Sequence, residues 1–366
     1  MIKKIKIYIT LAAVAFSSVS CLDKYPEDAI PEGDAIRTVE EANQAVIGIY
    51  AYMKNPNLYS GLLTLLPDLQ ADLAYAVEGY TNTYGNIWRW DILPTNTEVE
   101  AVYGTLNALI GKCNFLLERI AVLEQEVDDE DYEKLQQFKG EALFARALSY
   151  SDLIKMYCKA YDPATAADEL GVVLVSSYSN AGTLKRASLK DSYQFVLDDL
   201  AQSATCLKPD ENENDESYYD TPYFTIYAVN ALYARVYLNM QEWDKAIEYA
   251  SKVIDSRKFK LSSTTEMIDS ETSYYQYMWQ YDHSTETIWK VGFTTTSYGG
   301  SLGQIFFNYD FNSFKPDYVP AEWVLNLYAD TDLRATTFFQ SYRTGYEHGL
   351  QSVSYTHLRA HETDSY

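Results

Sequence analysis

Residues 231–254 read ALYARVYLNMQEWDKAIEYASKVI, and this stretch decides the fold. Within Thr225 to Asp255 its apolar residues recur at helical spacing on either side of Gln241-Glu242-Trp243, so it reads as two helices joined by a tight turn. Ala234 and Ala246 are small where the two helices face each other, and Tyr237 stands between them to fill the groove. The same pattern occurs earlier in the chain. Ala142-Leu-Phe-Ala-Arg146 recurs as Ala231-Leu-Tyr-Ala-Arg235, and the partner helix of that earlier copy opens at Ser188, after a long insertion.

The separation of Ala234, Tyr237 and Ala246 is that of the small, aromatic and small signature positions of a tetratricopeptide repeat. The repeated Arg146 and Arg235 read as structural residues that extend along the helix and pair near the repeat surface rather than as ligand residues. Outward from these copies the chain stays helical. Thr38-Val-Glu-Glu41 is a capping box opening a helix through about Tyr52, with Ala42, Ala45, Val46 and Ile49 on one face. A second helical stretch follows Leu58 and carries Asp68 and Asp72, and Val99 to Leu123 resumes the period. Gly140 to Met156 is a helix with a small-residue stripe, and Ser188 caps a helix through Leu207. Between these lie an aromatic-rich loop, Gly79 to Trp90, and an acidic linker, Asp210 to Asp220. Beyond Lys260 the pattern turns irregular. Glu286 to Val291 reads as a strand and Ala321 to Tyr328 as a short helix. The fold class is therefore mainly α, with tetratricopeptide-like helical repeats and a loop-rich face.

Both ends of the chain carry signals of another kind. Lys3, Lys4 and Lys6 precede an apolar run from Ile7 to Val19, the length of a signal-peptide core and too short to span a bilayer as a helix. Ser18-Val-Ser20 then leads to Cys21, which is similar to a bacterial lipobox whose cysteine is lipidated; Ser18 stands where the strict form has Leu. Ordinary secretion with cleavage near Ser20 is the other reading, and either one exports the protein. Residues 1–20 are then a signal peptide and 21–37 a Pro- and acid-rich tether, with the helical domain over 38–352. The last residues, VSYTHLRAHETDSY (353–366), resemble one frame of a transposase-based sequencing adapter, so they read as a non-native tail and the domain as incomplete at its C-terminus. A natural polar terminus is the alternative.

The formal net charge is -23, and removing Lys3, Lys4 and Lys6 takes the mature chain to -26. Such a surface repels phosphate backbones and anionic headgroups, so nucleic acid is excluded as a partner class. Cys113, Cys158 and Cys206 sit in apolar helical patterns and read as buried free thiols. No HExxH or CxxC spacing marks a metal site, and no cofactor or metal is expected. Nothing has the ligand spacing of a calcium loop.

The lipobox, TVEEANQAVIGIY, GEALFARALSY, RASLKDSYQFVLDDLAQSATCL and ALYARVYLNMQEWDKAIEYASKVI occur in one order over residues 21 to about 340. That ordered set resembles the RagB/SusD family, outer-membrane lipoproteins of the Bacteroidota that capture nutrients. The resemblance implies a lipid-anchored, surface-exposed protein that binds oligosaccharide and delivers it to a partner TonB-dependent outer-membrane transporter, without catalysis.

Sugar rings present flat C–H faces rimmed by hydroxyls, so a site for them needs aromatic platforms beside carboxylates or amides. Two segments supply this mix: Tyr80, Tyr84, Trp88 and Trp90, and Tyr298, Phe306, Phe307 and Tyr309. By position in the family pattern, the resemblance implies Trp90 as the stacking platform and Asp72 as the hydroxyl partner. Two rivals stand beside the binder. One is a scaffold lipoprotein whose repeats grip another protein. The other is a surface hydrolase: Gly299-Gly-Ser-Leu-Gly303 matches GxSxG, which carries a nucleophile only between a strand and a helix, and His348 is the one downstream base outside the tail. Stacking reads ring faces and not linkages, so no one glycan is named, and peptides or glycopeptides stay open as cargo.

Overall fold

The computed structural model describes residues 35–77, 79, 81–178, 184–209, 220–281, 283–294, 296–300, 302–308, 315–329, 331–343 and 351–355. Cys21 and the signal peptide lie outside them.

The first helix, α1 (Val39–Tyr52), opens on the expected capping box: Glu41 N–H donates to Thr38 Oγ1 and the Glu41 carboxylate accepts from Thr38 N–H. It buries Ala42, Val46 and Ile49. There follow α2 (Leu62–Gln70), β1 (Ala74–Ala76), the single-turn α3 (Gly85–Trp88) and α4 (Thr97–Leu123). Next comes α5 (Asp129–Tyr157), which begins eleven residues earlier than the apolar stripe indicates, capped by Asp128, whose side chain accepts from Asp131 N–H. From Gly140 to Ile154 it is buried on all sides. A Cβ at Gly140 would stand 2.8 Å from Cys206 Cβ, so only glycine lets the next helix approach there.

The insertion is a hairpin of β2 (Leu170–Val173) and β3 (Arg186–Ser188) leading into α6 (Leu189–Cys206), whose cap Ser188 accepts from Asp191 N–H. The deciding stretch forms α7 (Ile226–Asn239) and α8 (Trp243–Asp255), with Gln241 in the left-handed region at the turn. Tyr233, Tyr237 and Tyr249 stack in the groove between them, the Tyr233 and Tyr249 centroids 4.3 Å apart. In chain order α4 packs on α5, α5 on α6, α6 on α7 and α7 on α8, while α1 lies across α4 and α5. This is a mainly helical, repeat-like fold.

The remainder is irregular: α9 (Tyr274–Tyr281), α10 (Gln304–Phe307), β4 (Tyr318–Pro320), α11 (Glu322–Leu325), α12 (Leu333–Phe338), β5 (Phe339–Arg343) and β6 (Gln351–Tyr355). Antiparallel β1–β4 pairing brings Tyr75 opposite Val319. β6 includes residues 353–355, the first three of the segment read as a tail.

Three expectations are corrected. Residues 286–291 form no strand; they run beside 220–222, joined by Asp220 N–H to Thr287 O and Lys290 N–H to Thr221 O, because Pro222 and the Asp220 turn leave no straight neighbour to pair with. Arg146 does not pair near the surface. It is 7% exposed, and its guanidinium donates to both Asp199 carboxylate oxygens at 2.7 and 2.8 Å and to Asn114 Oδ1 at 2.7 Å. Arg235 is exposed. Of the three thiols Cys113 is fully buried and pushed up to about 12 by burial, whereas Cys158 and Cys206 are half-buried.

Candidate functional site

The turn after α2 organises the loop-rich face. Pro67 lies inside α2, and the helix stops at Gln70 with Ala71 N–H on Pro67 O and Leu73 N–H on Asp68 O. Asp72 then takes φ 57°, a left-handed conformation that aspartate tolerates better than most residues. This turn leaves two carbonyls pointing outward, and each receives an indole. Trp90 Nε1–H donates to Gln70 O at 2.9 Å, and Trp323 Nε1–H donates to Asp72 O at 3.1 Å. The two acceptor residues have Cα atoms no more than about 7 Å apart, so residues 233 positions apart in sequence are pinned to one turn. Trp90 remains 64% exposed and Trp323 49% exposed; Tyr75, just past the turn on β1, is 42% exposed. Asp72 is exposed as well.

The loop leading to Trp90 is held in a strained shape. Asn82, Tyr84 and Trp90 all have positive φ, so with Asp72 half of the eight described non-glycine residues in that region fall between positions 72 and 90. Such conformations cost roughly 1–3 kcal/mol each and persist only where surroundings enforce them. The enforcement is visible. Asp317, 7% exposed, accepts from Thr81 N–H at 2.8 Å and Thr81 Oγ1–H at 2.7 Å. Tyr318 O–H donates to Thr83 O at 2.7 Å, and Arg89 donates to Asn82 Oδ1 and Asn86 Oδ1. A Cβ at Gly85 would come within 2.2 Å of Asn82 Oδ1, so a side chain there would displace the Asn82 amide from its bond with Arg89.

The structure sorts the sequence-predicted residues. Trp90 and Asp72 come together on the α2 turn. Trp88 is half-buried: its indole N–H donates to Ala74 O at 3.0 Å and its ring meets Tyr318 edge-on, wedging a small core of Leu65, Leu69, Ala74, Ile305, Phe306 and Tyr318. Tyr84 is half-buried against both cores, and burial pushes its phenol up, with Glu98 adding to the shift. Phe306 is a core residue, 8% exposed. Tyr298 is 78% exposed on a loop tied to Ser60 by Gly300 N–H, so its anchor lies at the start of α2 and the anchor of Trp90 at its end, about 14 Å apart along the helix. Tyr80 and Tyr309 lie outside the described residues. Trp323 and Tyr75 escaped the sequence reading; a tryptophan in the short helix expected just after Pro320 was the available signal for the first.

On its strand side the GxSxG context is missing: the described residues of 291–300 hold the isolated bridge Thr294–Ser297 and no strand, while the single-turn α10 follows the motif, and Ser301 and His348 lie outside the described residues. Among the described residues no three His, Cys, Asp or Glu side chains are grouped as metal ligands would be. A cleft of about 590 Å³ opens where the start of α1 meets the α4–α5 junction. Acids and bases both line it, and Lys134 there is already paired with Glu130 and Asp131.

A family profile described as SusD-like, starch-binding associating with outer membrane, matches residues 22–238. A SusD-like protein of Formosa agariphila is 23% identical over 257 residues, which are 69% of this chain and 46% of that one. The chain thus spans less than half the length of that relative. Among solved structures, a SusD superfamily protein of Bacteroides vulgatus superposes with TM-score 0.71 at 19% identity, covering 88% of this chain and 69% of that one. A SusD superfamily protein of Bacteroides thetaiotaomicron gives 0.67 at 23%, covering 79% and 61%. A SusD-like carbohydrate binding protein of Bacteroides vulgatus gives 0.64 at 15%, covering 84% and 62%. At these identities the structures share the fold.

Proposed function

The chain belongs to the SusD-like family, matched over more than half of its residues, and from that premise we propose that it is a non-catalytic glycan-binding lipoprotein of the outer membrane. In this reading Cys21 carries the lipid anchor, the protein faces outward from the cell, and it captures oligosaccharide for delivery to a partner TonB-dependent transporter. One observation carries the binding site: two exposed indoles, Trp90 and Trp323, hydrogen-bonded to carbonyls of one turn that also exposes Asp72. An indole whose N–H is already engaged by the backbone is oriented before any ligand arrives, so less freedom is lost on stacking. Its ring takes the C–H face of a sugar while a carboxylate accepts from the rim hydroxyls. Tyr298 offers a further platform for a longer chain, since its anchor is displaced along α2. Trp88 and Tyr84, committed to packing, serve the site by supporting the loop.

The test is calorimetric titration of the purified protein with neutral oligosaccharides, followed by the Trp90→Ala and Trp323→Ala variants. Binding by the parent and its loss in both variants, with unchanged thermal midpoints, is the expected result. Retained affinity in both variants removes this turn from the site. Release of shorter sugars from the oligosaccharide would replace the binder by the hydrolase, and absence of any glycan affinity would leave the protein-binding scaffold.

A further inference from the structure

Among the described residues, burial pushes the carboxyls of Glu141, Asp199 and Asp68 above their ordinary values. Two of these are compensated inside the protein. Asp199 accepts from both prongs of Arg146, and Glu141 from Tyr50 and Gln137. Asp68 is the exception. It is half-buried in the last turn of α2, and no donor or cation among the described residues offsets the effect of burial on its carboxyl. A carboxylate that loses water without gaining a partner costs stability, and such groups concentrate where a ligand completes them.

The position of Asp68 indicates what that ligand is. Helix α2 turns its leucines inward. At about 100° per residue, the exposed Thr64, Pro67 and Ala71 fill the outward arc, with Asp68 on one flank and Gln70 about 160° away on the other. Gln70 O anchors Trp90, and the Cα atoms of Asp68 and Gln70 are about 5 Å apart. The loop of Tyr298 is tied to Ser60, at the far end of the same helix. A glycan stacked on Trp90 and running toward Tyr298 crosses this arc of small side chains. Asp68 is the only ionisable residue of α2, so it is the charge the glycan meets there.

We propose that Asp68 is a specificity-determining residue that accepts from adjacent hydroxyls of a neutral sugar unit, the one lying beside the unit stacked on Trp90. The inference rests on the glycan reading and adds to it a second subsite and a charge preference. The two oxygens of a carboxylate match two neighbouring O–H donors, and hydrogen bonds to an ionised acceptor are roughly twice as strong as neutral ones. A carboxylate or sulfate on the same sugar unit would meet Asp68 as a like charge.

The experiment titrates the purified protein calorimetrically with the hexasaccharides of glucose, mannose and galactose. It is repeated with the sugar that binds after its primary hydroxyls have been oxidised to carboxylates. The parent should bind the oxidised form about tenfold more weakly or worse. Asp68→Ala should weaken binding of the neutral form by about tenfold or more. Asp68→Asn keeps the shape and removes the charge, so it should narrow the gap between the two forms several-fold. Neither variant should lower the thermal midpoint, because the carboxylate has no partner in the fold to lose. Unchanged affinity in Asp68→Ala, or an unchanged gap in Asp68→Asn, overturns the proposal. So does a thermal midpoint lowered by several degrees, which would put the role of Asp68 inside the fold. Binding lost in Trp90→Ala but untouched in both Asp68 variants keeps the glycan site and removes Asp68 from it. A parent that binds none of the three sugars removes both readings.

Discussion

Between α5 and α6 the protein buries charge; from the end of α2 to Trp90 it holds backbone in unfavourable conformations. At the first place Arg146 and Asp199 meet in a two-pronged ion pair almost out of reach of water, completed by Asn114, whose Nδ2–H donates to Val175 O at 2.9 Å. Each guanidinium nitrogen has an acceptor on α4 or α6, and the Asn114 amide has one on Val175 just past β2. At the second place, carbonyls and indole N–H groups satisfy one another along the surface while the ring faces stay exposed. Buried polar groups that are fully paired specify one packing. Strained loops held by a few long-range bonds present side chains in one orientation. The difference assigns stability to the first region and recognition to the second, and substitutions should separate them.

The largest effect is expected at Arg146. Arg146→Ala leaves the Asp199 carboxylate buried without its counter-charge, a loss of about 3–5 kcal/mol, measurable as a lower urea midpoint. Replacing Arg146 and Asp199 together by apolar residues should recover much of that loss. A single variant as stable as the parent would break the contrast between the two regions.

Next comes Trp90→Ala, with the opposite signature. As the more exposed platform it should cost about 2 kcal/mol of glycan affinity, roughly thirtyfold. Its thermal midpoint should stay within about 1 °C of the parent, because the ring is mostly outside the core. A smaller effect is expected from Asp317→Ala, which removes both acceptors for Thr81 and loosens the loop without touching a platform. Stability should fall by about 1–3 kcal/mol, with affinity reduced less than in Trp90→Ala. Affinity loss equal to that of Trp90→Ala would mean that Asp317 does more than hold the loop.

The two regions also differed in how far their sequence revealed them. Helices were legible because their information is local: the Thr38–Glu41 box, the Ser188 cap and the period of 231–254 each lie within a few turns. The first eleven residues of α5 were not, since 129–139 is charged and lacks a stripe, although Asp128 with Asp129, Glu130 and Asp131 is an N-terminal signal. The depth of Arg146 was invisible because its partner lies 53 residues on, past the β2–β3 insertion. On the recognition side, Trp90 and Asp72 came from resemblance, not from spacing. Trp88 could not be told from Trp90, since burial depends on Ala74 and Tyr318, which only the β1–β4 pairing brings near. Nothing local marked Trp323 as sharing a turn with Trp90, because the turn it joins is more than two hundred residues away.

The smallest predicted effect is a slope rather than a midpoint, and it tests whether the helical stack carries a second buried charge. Tyr50 O–H donates to Glu141 Oε2 at 2.7 Å while accepting from Phe224 N–H at 2.8 Å, and Gln137 Nε2–H donates to Glu141 Oε1 at 2.7 Å. The chain of bonds joins α1, α5 and the entry to α7. Burial pushes the Glu141 carboxyl above its ordinary value of 4.5, and the bonds from Tyr50 and Gln137 oppose that without cancelling it. The native state therefore binds this proton more tightly than the unfolded chain. Its contribution to stability is fully present below pH 4.5 and is lost as the pH rises through the elevated native value. Glu141→Gln removes the titration and substitutes an amide that accepts from only one donor, a penalty independent of pH. The stability of the parent relative to this variant should then fall from pH 4 to pH 7, read from paired urea titrations. A difference that stays flat over that range would show that Glu141 titrates alike in both states, leaving Arg146 and Asp199 to carry the contrast between scaffold and site.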